Sequence, residues 1–286
     1  MAPRRGTAPA ILKAAEAVAR IADRIGEAFA ADLRDVLRQV ERSVQPIVET
    51  ATRADTASAR AAAVGASQQQ FRAALRSAGF DALADGAYGG ALYPVMQRIF
   101  ALRRAAGLED TLTPAMRLQL EALGTVYRID LLGEGDNAAR ALWRAAARGV
   151  FGGSDVRTIL AELRGIVDRT EPQIRTLYDT SVSILGRQVE ALQAGDDPDT
   201  MFAFVGPVDD LTRPWCLQHV GKVYTRAEID ALDNGQIGPV FLTGGGYNCR
   251  HVFAEISKAS ELRDLHDSGA RIPEMQDQID ALREAA

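Results

Sequence analysis

Apolar residues near the start of the chain recur at steps of three and four positions. They are Ile11, Ala15, Val18, Ala22, Ile25, Phe29, Leu33, Val36, Val40, Val44 and Ile47. This is the period of an α-helix, sustained over about ten turns. A helix of this length with one narrow apolar stripe needs a partner for that stripe. The pattern therefore predicts one long helix packed against another helix, from its own chain or from a second one.

The middle of the chain predicts further helices. Residues of the type that cap helix N-termini precede four apolar periodic stretches, and these caps are Thr113, Asp136, Ser154 and Thr170. The corresponding helices would run roughly over 114–130, 137–149, 155–167 and 171–194. The small, polar stretch 51–70 either continues the first helix or connects it to the next. A glycine-rich stretch, DGAYGGALYP at 85–94, is expected to lie between short helical pieces.

The pattern changes after residue 199. Four short runs rich in β-branched and aromatic residues predict strands at 201–206, 222–225, 239–242 and 251–256. Thr225 and Glu228 have the spacing of a capping box, which predicts one short helix among the strands. The fold is therefore predicted to be mainly α. Its parts are a flexible basic arm (1–10), a long helical body (11–199), a small α+β module with cysteines and histidines (200–257) and a helical tail (258–286).

Composition supports a helical protein and removes some functional classes. The chain has 286 residues, of which 6% are aromatic, and alanine and arginine are common. Its net charge of −5 gives no global signature of nucleic-acid binding. No window of 18 apolar residues predicts a membrane helix, and no apolar segment follows the N-terminal arginines as in a secretory signal. We therefore expect no membrane association, and folding in the cytoplasm.

Both cysteines and two of the three histidines fall in one short window near the C-terminus. Cys216 and His219 are spaced C-x2-H, which allows a turn to aim both side chains at one point. Cys249 and His251 are spaced C-x-H, and positions i and i+2 of a strand face the same side. Two sulfurs and two imidazoles suit tetrahedral zinc. The spacing predicts a structural zinc site formed by Cys216, His219, Cys249 and His251.

Two other interpretations fit the same spacing. The cysteines can be small buried hydrophobic residues, with each histidine simply hydrogen-bonded, or they can form a disulfide once the protein leaves the cytoplasm. Among the neighbouring residues, Trp215 is expected to shield the site as part of the core. Arg250 is expected to pair with Asp209 or Asp210, and His266 to lie at the surface without a partner.

The window 209–256 resembles the C-terminal signature of the phage head morphogenesis family, which includes the F protein of phage Mu and minor capsid proteins of many tailed phages. The matching positions are Asp209 or Asp210, Arg213, Cys216, His219, Gly221, Lys222, Tyr224, Cys249, Arg250 and His251. The similarity extends over 165–257, where 169–189 resembles the family's Arg-Thr-Glu helix. The chain departs from the family at Gly246 and Tyr247, where many members have His-Pro, and at the two histidines, where many have cysteine.

The resemblance implies a minor capsid protein that is structural and not an enzyme. Such a protein would sit in several copies per particle in the virion head near the portal, after assembly in the host cytoplasm. Its partners would be the portal protein and the major capsid or scaffolding protein, and it could contact packaged double-stranded DNA. It would act in procapsid assembly and in genome packaging and ejection.

Two alternatives are a metal-dependent nuclease and a zinc-knuckle nucleic-acid-binding protein. A nuclease needs an open metal position and a general base, whereas four ligands would close this site. The chain also lacks a glutamate beside a histidine in the patterns H-x-E or H-E-x-x-H. For nucleic-acid binding, residues 140–175 contain seven arginines against four acids. The stretches GDDPDT and VDDL beside the cysteine and histidine window are acidic, and acids repel phosphate.

Overall fold

A computed structural model describes residues 7–285. Ten α-helices occur in this range: α1 (Ala8–Thr52), α2 (Ala57–Ser77), α3 (Phe80–Ala105), α4 (Pro114–Phe151), α5 (Val156–Ala194), α6 (Pro214–His219), α7 (Arg226–Asp230), α8 (Val240–Thr243), α9 (Asp264–Ser268) and α10 (Pro273–Ala285). A 3-10 turn covers Glu261–Arg263, and three strands are β1 (Met201–Val205), β2 (Val223–Thr225) and β3 (Val252–Glu255). With 73% helix and one small sheet near the C-terminus, the predicted mainly α class is confirmed.

The long helices are fewer and longer than predicted. The first predicted pair is the single helix α4, and the second pair is the single helix α5. Asp136 and Thr170 are therefore not caps. Instead, Asp136 pairs with Arg72 at 2.6 Å, and the Thr170 hydroxyl donates to the Ile166 carbonyl one turn earlier. Short polar side chains with such partners are tolerated inside a helix.

The two other predicted caps, Thr113 and Ser154, lie just before the first residues of α4 and α5. Thr113 caps α4 as predicted, because its hydroxyl accepts from the Met116 N–H at 3.2 Å. At α5 the cap is Asp155, not Ser154, since the Asp155 carboxylate accepts from the Thr158 N–H at 2.9 Å. The capping box of Thr225 and Glu228 at α7 is confirmed.

Other boundaries differ from the sequence-based expectations. The glycine-rich stretch 85–94 lies inside α3, where Tyr88, Ala91 and Val95 are buried at helical spacing. Packing of this face outweighs the intrinsic cost of the glycines. The stretch 51–70 contains a helix end at Thr52 and a new helix from Ala57. Residues 1–6 of the predicted flexible arm lie outside the described residues, and its last residues begin α1.

One strand prediction near the C-terminus is also wrong. The run predicted as a strand at 239–242 forms the short helix α8. Apolar runs of this length do not distinguish a strand from a buried helical turn. The tail is helical as predicted, and its described residues form a 3-10 turn, α9 and α10. Within residues 7–285, no helix combines the length and apolar character that a membrane crossing requires.

The backbone contacts divide the chain into two compact units. The first unit contains the residues up to Ile25, the segment Gly89–Gly124 and the chain from Asp179 onward. It therefore contains the three strands together with parts of the predicted helical body. No boundary between the two units lies at residue 200. One buried cluster within this unit contains Ile11, Ile99, Val189 and Phe204. The second unit contains Gly26–Tyr88 and Thr125–Tyr178.

The sheet of the first unit has the strand order β2-β1-β3, with both pairings antiparallel. Phe202 lies opposite Tyr224, and Phe204 lies opposite Phe253. Residues 202–205 of β1 have no exposed surface, so both faces of the central strand are covered. A strand buried on both faces explains why this segment reads as a continuous apolar run and not as an alternating one.

The core of the second unit depends on aromatic packing and on one glycine. Phe29 stacks on Tyr178 with ring centroids 3.9 Å apart, and the Trp143 indole donates to the Val64 carbonyl. Gly135 of α4 is buried against Phe80. A Cβ at this position would lie 2.3 Å from the Phe80 ring, which is itself 1% exposed and has no room to move.

We therefore expect Gly135→Ala to lower the free energy of unfolding by about 1–3 kcal/mol through overpacking. Gly133 of the same helix is a matched control, because it is exposed and nothing lies within 4 Å of an added Cβ. Gly133→Ala should raise stability by about 0.5–1 kcal/mol through helix propensity. Urea denaturation followed by circular dichroism measures both effects. Equal effects of the two substitutions would contradict the packing of α4 on Phe80.

Candidate metal centre

Cys216 is placed by the short helix α6. Pro214 occupies the first turn of this helix, where its missing N–H costs nothing. The Arg271 guanidinium donates to the carbonyls that end the helix and begin the following turn, with N–O distances of 2.7 to 3.0 Å to Leu217, Gln218 and Val220. Arg271 thereby satisfies carbonyls that a helix C-terminus leaves without partners.

Cys249 and His251 lie on the extended segment that leads into β3. The chain reaches this segment through Asn248, which has a positive φ of 53° and whose N–H donates to the Thr180 hydroxyl. Arg250, between the two ligand candidates, forms a two-pronged ion pair with Asp209, one contact of which is 2.8 Å. The predicted pairing of Arg250 is thus confirmed, with Asp209 as the partner.

The structure brings Cys216, Cys249 and His251 together. The two Sγ atoms are 3.8 Å apart, and the Cys249 Sγ lies 3.9 Å from the His251 Nδ1. Each of the three residues is 2% exposed, and their ligand atoms all lie within 4.8 Å of one another. Two sulfurs bound at ~2.3 Å to one tetrahedral ion would be about 3.8 Å apart. This buried group can hold a metal ion.

The sulfur geometry also bears on the disulfide alternative. Both cysteines are free thiols, and their sulfur separation far exceeds a disulfide bond of about 2.05 Å. The hydrogen bond with the Cys216 sulfur lowers the pKa of the Cys249 thiol, and so does the nearby charge of Arg187. The same sulfur–sulfur contact, together with burial, raises the pKa of the Cys216 thiol. Cys249 therefore loses its proton more readily than Cys216, and the resulting thiolate is the form that binds metals.

His219 is not part of this group, and the predicted fourth ligand is corrected accordingly. Its Nδ1 lies 2.7 Å from the Tyr224 hydroxyl, and its ring stacks on Trp215 with centroids 4.0 Å apart. Burial and the charge of Lys222 lower the pKa of His219 to about 4, so the ring is neutral. The C-x2-H spacing left the direction of the ring open, and packing against Trp215 turned it away from Cys216.

Three glycines bring the backbone directly against the three ligands. A Cβ at Gly244 would lie 2.7 Å from the Cys249 sulfur, one at Gly245 would lie 2.4 Å from the Cys216 sulfur, and one at Gly206 would lie 2.8 Å from the His251 ring. The Gly245 N–H also donates to the Cys249 sulfur at 3.2 Å. The glycine run before Tyr247 therefore lets the chain pass over the two sulfurs.

Arg187 of α5 supports the backbone segment that carries Cys249 and His251. Its guanidinium donates to the carbonyls of His251 and Leu242, both at 2.9 Å, and to that of Cys249. The side chain is 2% exposed, and this burial lowers the pKa of Arg187. Sequence reasoning missed Arg187 because it lies more than sixty positions from the ligands it supports. The only signal was a cation among the buried positions of the α5 stripe.

The remaining expectations near the site have mixed outcomes. Trp215 is half-buried beside Cys216, with its indole donating to the Asp233 carbonyl at 2.9 Å. His266 does lie near the surface, but the expectation that it has no partner is wrong. Its Nε2 lies 2.8 Å from a Glu228 carboxylate oxygen, so it joins the capping box of α7.

A second buried polar cluster lies in the same compact unit. Arg103 of α3 contacts Glu190 of α5 at 3.3 Å and Glu255 of β3 at 2.8 Å, so that two carboxylates share one cation. The Glu255 N–H donates to Glu190 Oε1, while Glu190 Oε2 is buried without a hydrogen-bond partner. Burial raises the pKa of Glu190 to about 7 despite the attraction of Arg103.

This raised pKa predicts a pH-dependent stability. The folded state binds a proton at Glu190 more tightly than the unfolded state, so stability should fall as the pH rises from about 4.5 to 7. The shift corresponds to roughly 3 kcal/mol. Glu190→Gln should flatten this part of the stability profile, while its amide oxygen still accepts from Glu255. Denaturation at several pH values tests this, with the exposed Glu261→Gln as control. An unchanged slope in Glu190→Gln would refute the assignment.

Comparisons with models of protein families, with curated proteins and with solved structures found no match for this chain. The functional inference therefore depends on the residues of the site and on how they are arranged.

Proposed function

We propose that this chain is a minor capsid protein of a tailed bacteriophage and that its metal centre is a structural zinc site. One observation supports this most directly: positions of the family signature that are far apart in sequence meet in space. Asp209 pairs with Arg250, and Cys216 lies 3.8 Å from Cys249. Signature positions that meet in pairs across the fold are explained by a shared structural requirement.

Zinc is the metal that suits this donor set. Two thiolates and one imidazole are soft to intermediate ligands, which favour zinc over magnesium or calcium. The sheet has strands of only five, three and four residues, so its own hydrogen bonds contribute little stability. A metal that joins α6 to the segment before β3 would add folding free energy to this part of the unit.

The proposed role is structural because the ligands are deeply buried. A substrate would have to reach a metal whose three ligands are each 2% exposed. Within residues 7–285 no aspartate or glutamate joins the group, so it contains no carboxylate to act as general base. Because His219 is not a ligand, four protein ligands no longer close the site, and that argument against a nuclease no longer applies. The argument now depends on burial and on the missing carboxylate.

In this role the protein would reside in the virion head near the portal, in several copies. Its partners would be the portal protein and the major capsid or scaffolding protein, with contact to packaged double-stranded DNA. α1 has 45 residues and α10 has 13, and their solvent-facing sides offer surface for these contacts. The protein would act during procapsid assembly and in genome packaging and ejection.

Quantitative mass spectrometry of purified particles of the phage that encodes the chain tests this proposal. We expect a low, reproducible copy number, well below that of the major capsid protein. Particles from a phage carrying Cys249→Ser should contain fewer copies or fail to mature, whereas Gly133→Ala should leave the copy number unchanged. Absence of the chain from both procapsids and mature particles would contradict the proposal and would favour the nuclease or nucleic-acid-binding alternatives.

A further inference from the structure

The exposed side of α4 is basic towards the end of the helix. Between residues 137 and 154 the sequence contains no aspartate or glutamate, although the whole chain has a net charge of −5. From residue 137 to residue 151 the exposed side chains are Asn137, Arg140, Arg144, Arg148 and Phe151. The three arginines recur every four positions, which places them on one face of the helix. They form a basic stripe within the second unit.

The positive charge of the basic stripe is largely uncompensated. Within the described part of the chain, Arg144 has no carboxylate partner, and Arg140 contacts the neutral amide of Asn137. Arg148 pairs with Glu162 at 2.9 Å, but both side chains are exposed, and such a pair contributes at most about 1 kcal/mol. The guanidinium groups therefore remain available to an anion from outside the chain.

An open hollow adjoins two of these arginines. Its free space is about 710 Å³, and Trp143, Ala147 and Phe151 line it together with Arg144 and Arg148. Phe151 is 59% exposed, so the apolar part of the hollow is accessible from solution. A backbone of alternating sugars and phosphates suits this surface, because guanidinium groups bind phosphate oxygens in two-pronged contacts while the sugars have apolar faces.

The spacing of the basic stripe favours duplex DNA over an acidic protein helix. Three cations lie along eight residues of helix, a distance of about 12 Å. Duplex DNA carries about one negative charge per 1.7 Å of its axis, so roughly seven phosphate charges lie along the same distance. A protein helix that presents one carboxylate per turn offers about one charge per 5.4 Å. Charge complementarity is therefore greater with the phosphate backbone.

We propose that the basic stripe binds the phosphate backbone of double-stranded DNA without regard to its sequence. The inference rests on the proposed function for the choice of double-stranded DNA, and it assigns that contact to a defined surface. It does not depend on the metal centre, because none of the three ligands belongs to the second unit. The acidic stretches at 195–200 and 208–211, which repel phosphate, also lie in the first unit.

The dependence of DNA binding on salt tests this inference. The full-length chain is titrated into two labelled DNA duplexes of unrelated sequence, and fluorescence anisotropy gives the association constant between about 50 and 200 mM salt. With three phosphates neutralised, the logarithm of the association constant should fall against the logarithm of the salt concentration with a slope of about 2.7. Both duplexes should bind equally well, because phosphate contacts carry no sequence information.

Three exposed substitutions locate the contact. Arg144→Gln should weaken binding several-fold and reduce the slope by about one. Arg144→Lys keeps the charge, so the slope should remain that of the wild type. Arg38→Gln is the matched control, because Arg38 is an exposed arginine of the same unit whose charge is balanced by Asp35 at 3.5 Å. It should change neither the affinity nor the slope. Circular dichroism verifies that each variant is folded.

Every other result contradicts the inference in a recognisable way. If DNA binds but the slope is unchanged in Arg144→Gln, the contact lies elsewhere on the chain. If DNA binding is lost in Cys249→Ser or with a chelator, the metal centre makes the contact, as in the zinc-knuckle alternative. If neither duplex binds, the inference is wrong, and binding of labelled polyglutamate that Arg144→Gln weakens would assign the stripe to an acidic protein partner.

These outcomes are independent of the copy number in particles, which tests the proposed function. A chain that is present in particles but does not bind duplex DNA would refute the DNA contact alone. A chain that binds duplex DNA through the basic stripe but is absent from both procapsids and mature particles would refute the capsid role alone.

Discussion

Replacing Cys249 with serine is expected to abolish metal binding and to produce the largest metal-dependent loss of stability. With free metal a thousandfold above the dissociation constant, the wild type should be stabilised by about 4 kcal/mol that the variant lacks. The reason is that Cys249 is the more acidic thiol and contacts both other ligands. Denaturation with added metal and with a chelator measures the difference, and the chelator serves as the control. A loss of equal size under both conditions would show that Cys249 only fills space.

The position of this loss along the chain can also be measured. In Cys249→Ser, amide hydrogen exchange should increase in the strands β1, β2 and β3. Segments of the second unit, 26–88 and 125–178, should keep their protection because none of the three ligands belongs to that unit. Equal loss of protection in both units would contradict the division of the chain at these positions.

Arg187→Met should cost about 3–5 kcal/mol, because three buried carbonyls lose a charged hydrogen-bond donor and each unsatisfied group costs about 1–3 kcal/mol. The methionine fills the space of the alkyl chain but leaves the carbonyls of Cys249, His251 and Leu242 without donors. Arg187→Lys should recover only part of the stability, because one ammonium group does not match the planar spread of a guanidinium. Chemical denaturation of the metal-loaded protein measures each change.

Arg169→Met on the same helix is the matched control for Arg187. Arg169 is exposed, and its replacement should change stability by less than about 0.5 kcal/mol. Metal titration of both variants adds a second measurement: metal affinity should fall in Arg187→Met and remain unchanged in Arg169→Met. Unchanged metal affinity in Arg187→Met would mean that the guanidinium does not position the ligand segment.

Sequence periodicity predicted the helical class and most helical positions, but it misplaced the ends. Asp136 and Thr170 have the chemistry of caps, yet tertiary and local hydrogen bonds satisfy them within helices. The apolar run 239–242 was too short for its period to distinguish a strand from the helical turn of α8. Helix ends depend on partners from distant parts of the chain, which a local pattern does not contain.

The sequence spacing identified four ligand candidates. Cys216, Cys249 and His251 meet in space, and His219 does not join them. Cys249 and His251 share a direction because they lie two positions apart on extended backbone. His219 lies on a helix, and its ring direction depends on Trp215 and Tyr224. The supports of the site, Arg187 and Arg271, were not predicted, since a buried arginine looks like any other in a sequence rich in arginine.

The metal content of the purified full-length protein tests the central claim most directly. Elemental analysis by mass spectrometry, after dialysis against metal-free buffer, should give about one zinc per chain, as expected for one site of this donor set. Modification of the thiols under mild denaturation should release it. A folded chain with an unchanged circular dichroism spectrum and no bound metal would show that Cys216, Cys249 and His251 are packed together without an ion, which would contradict the account.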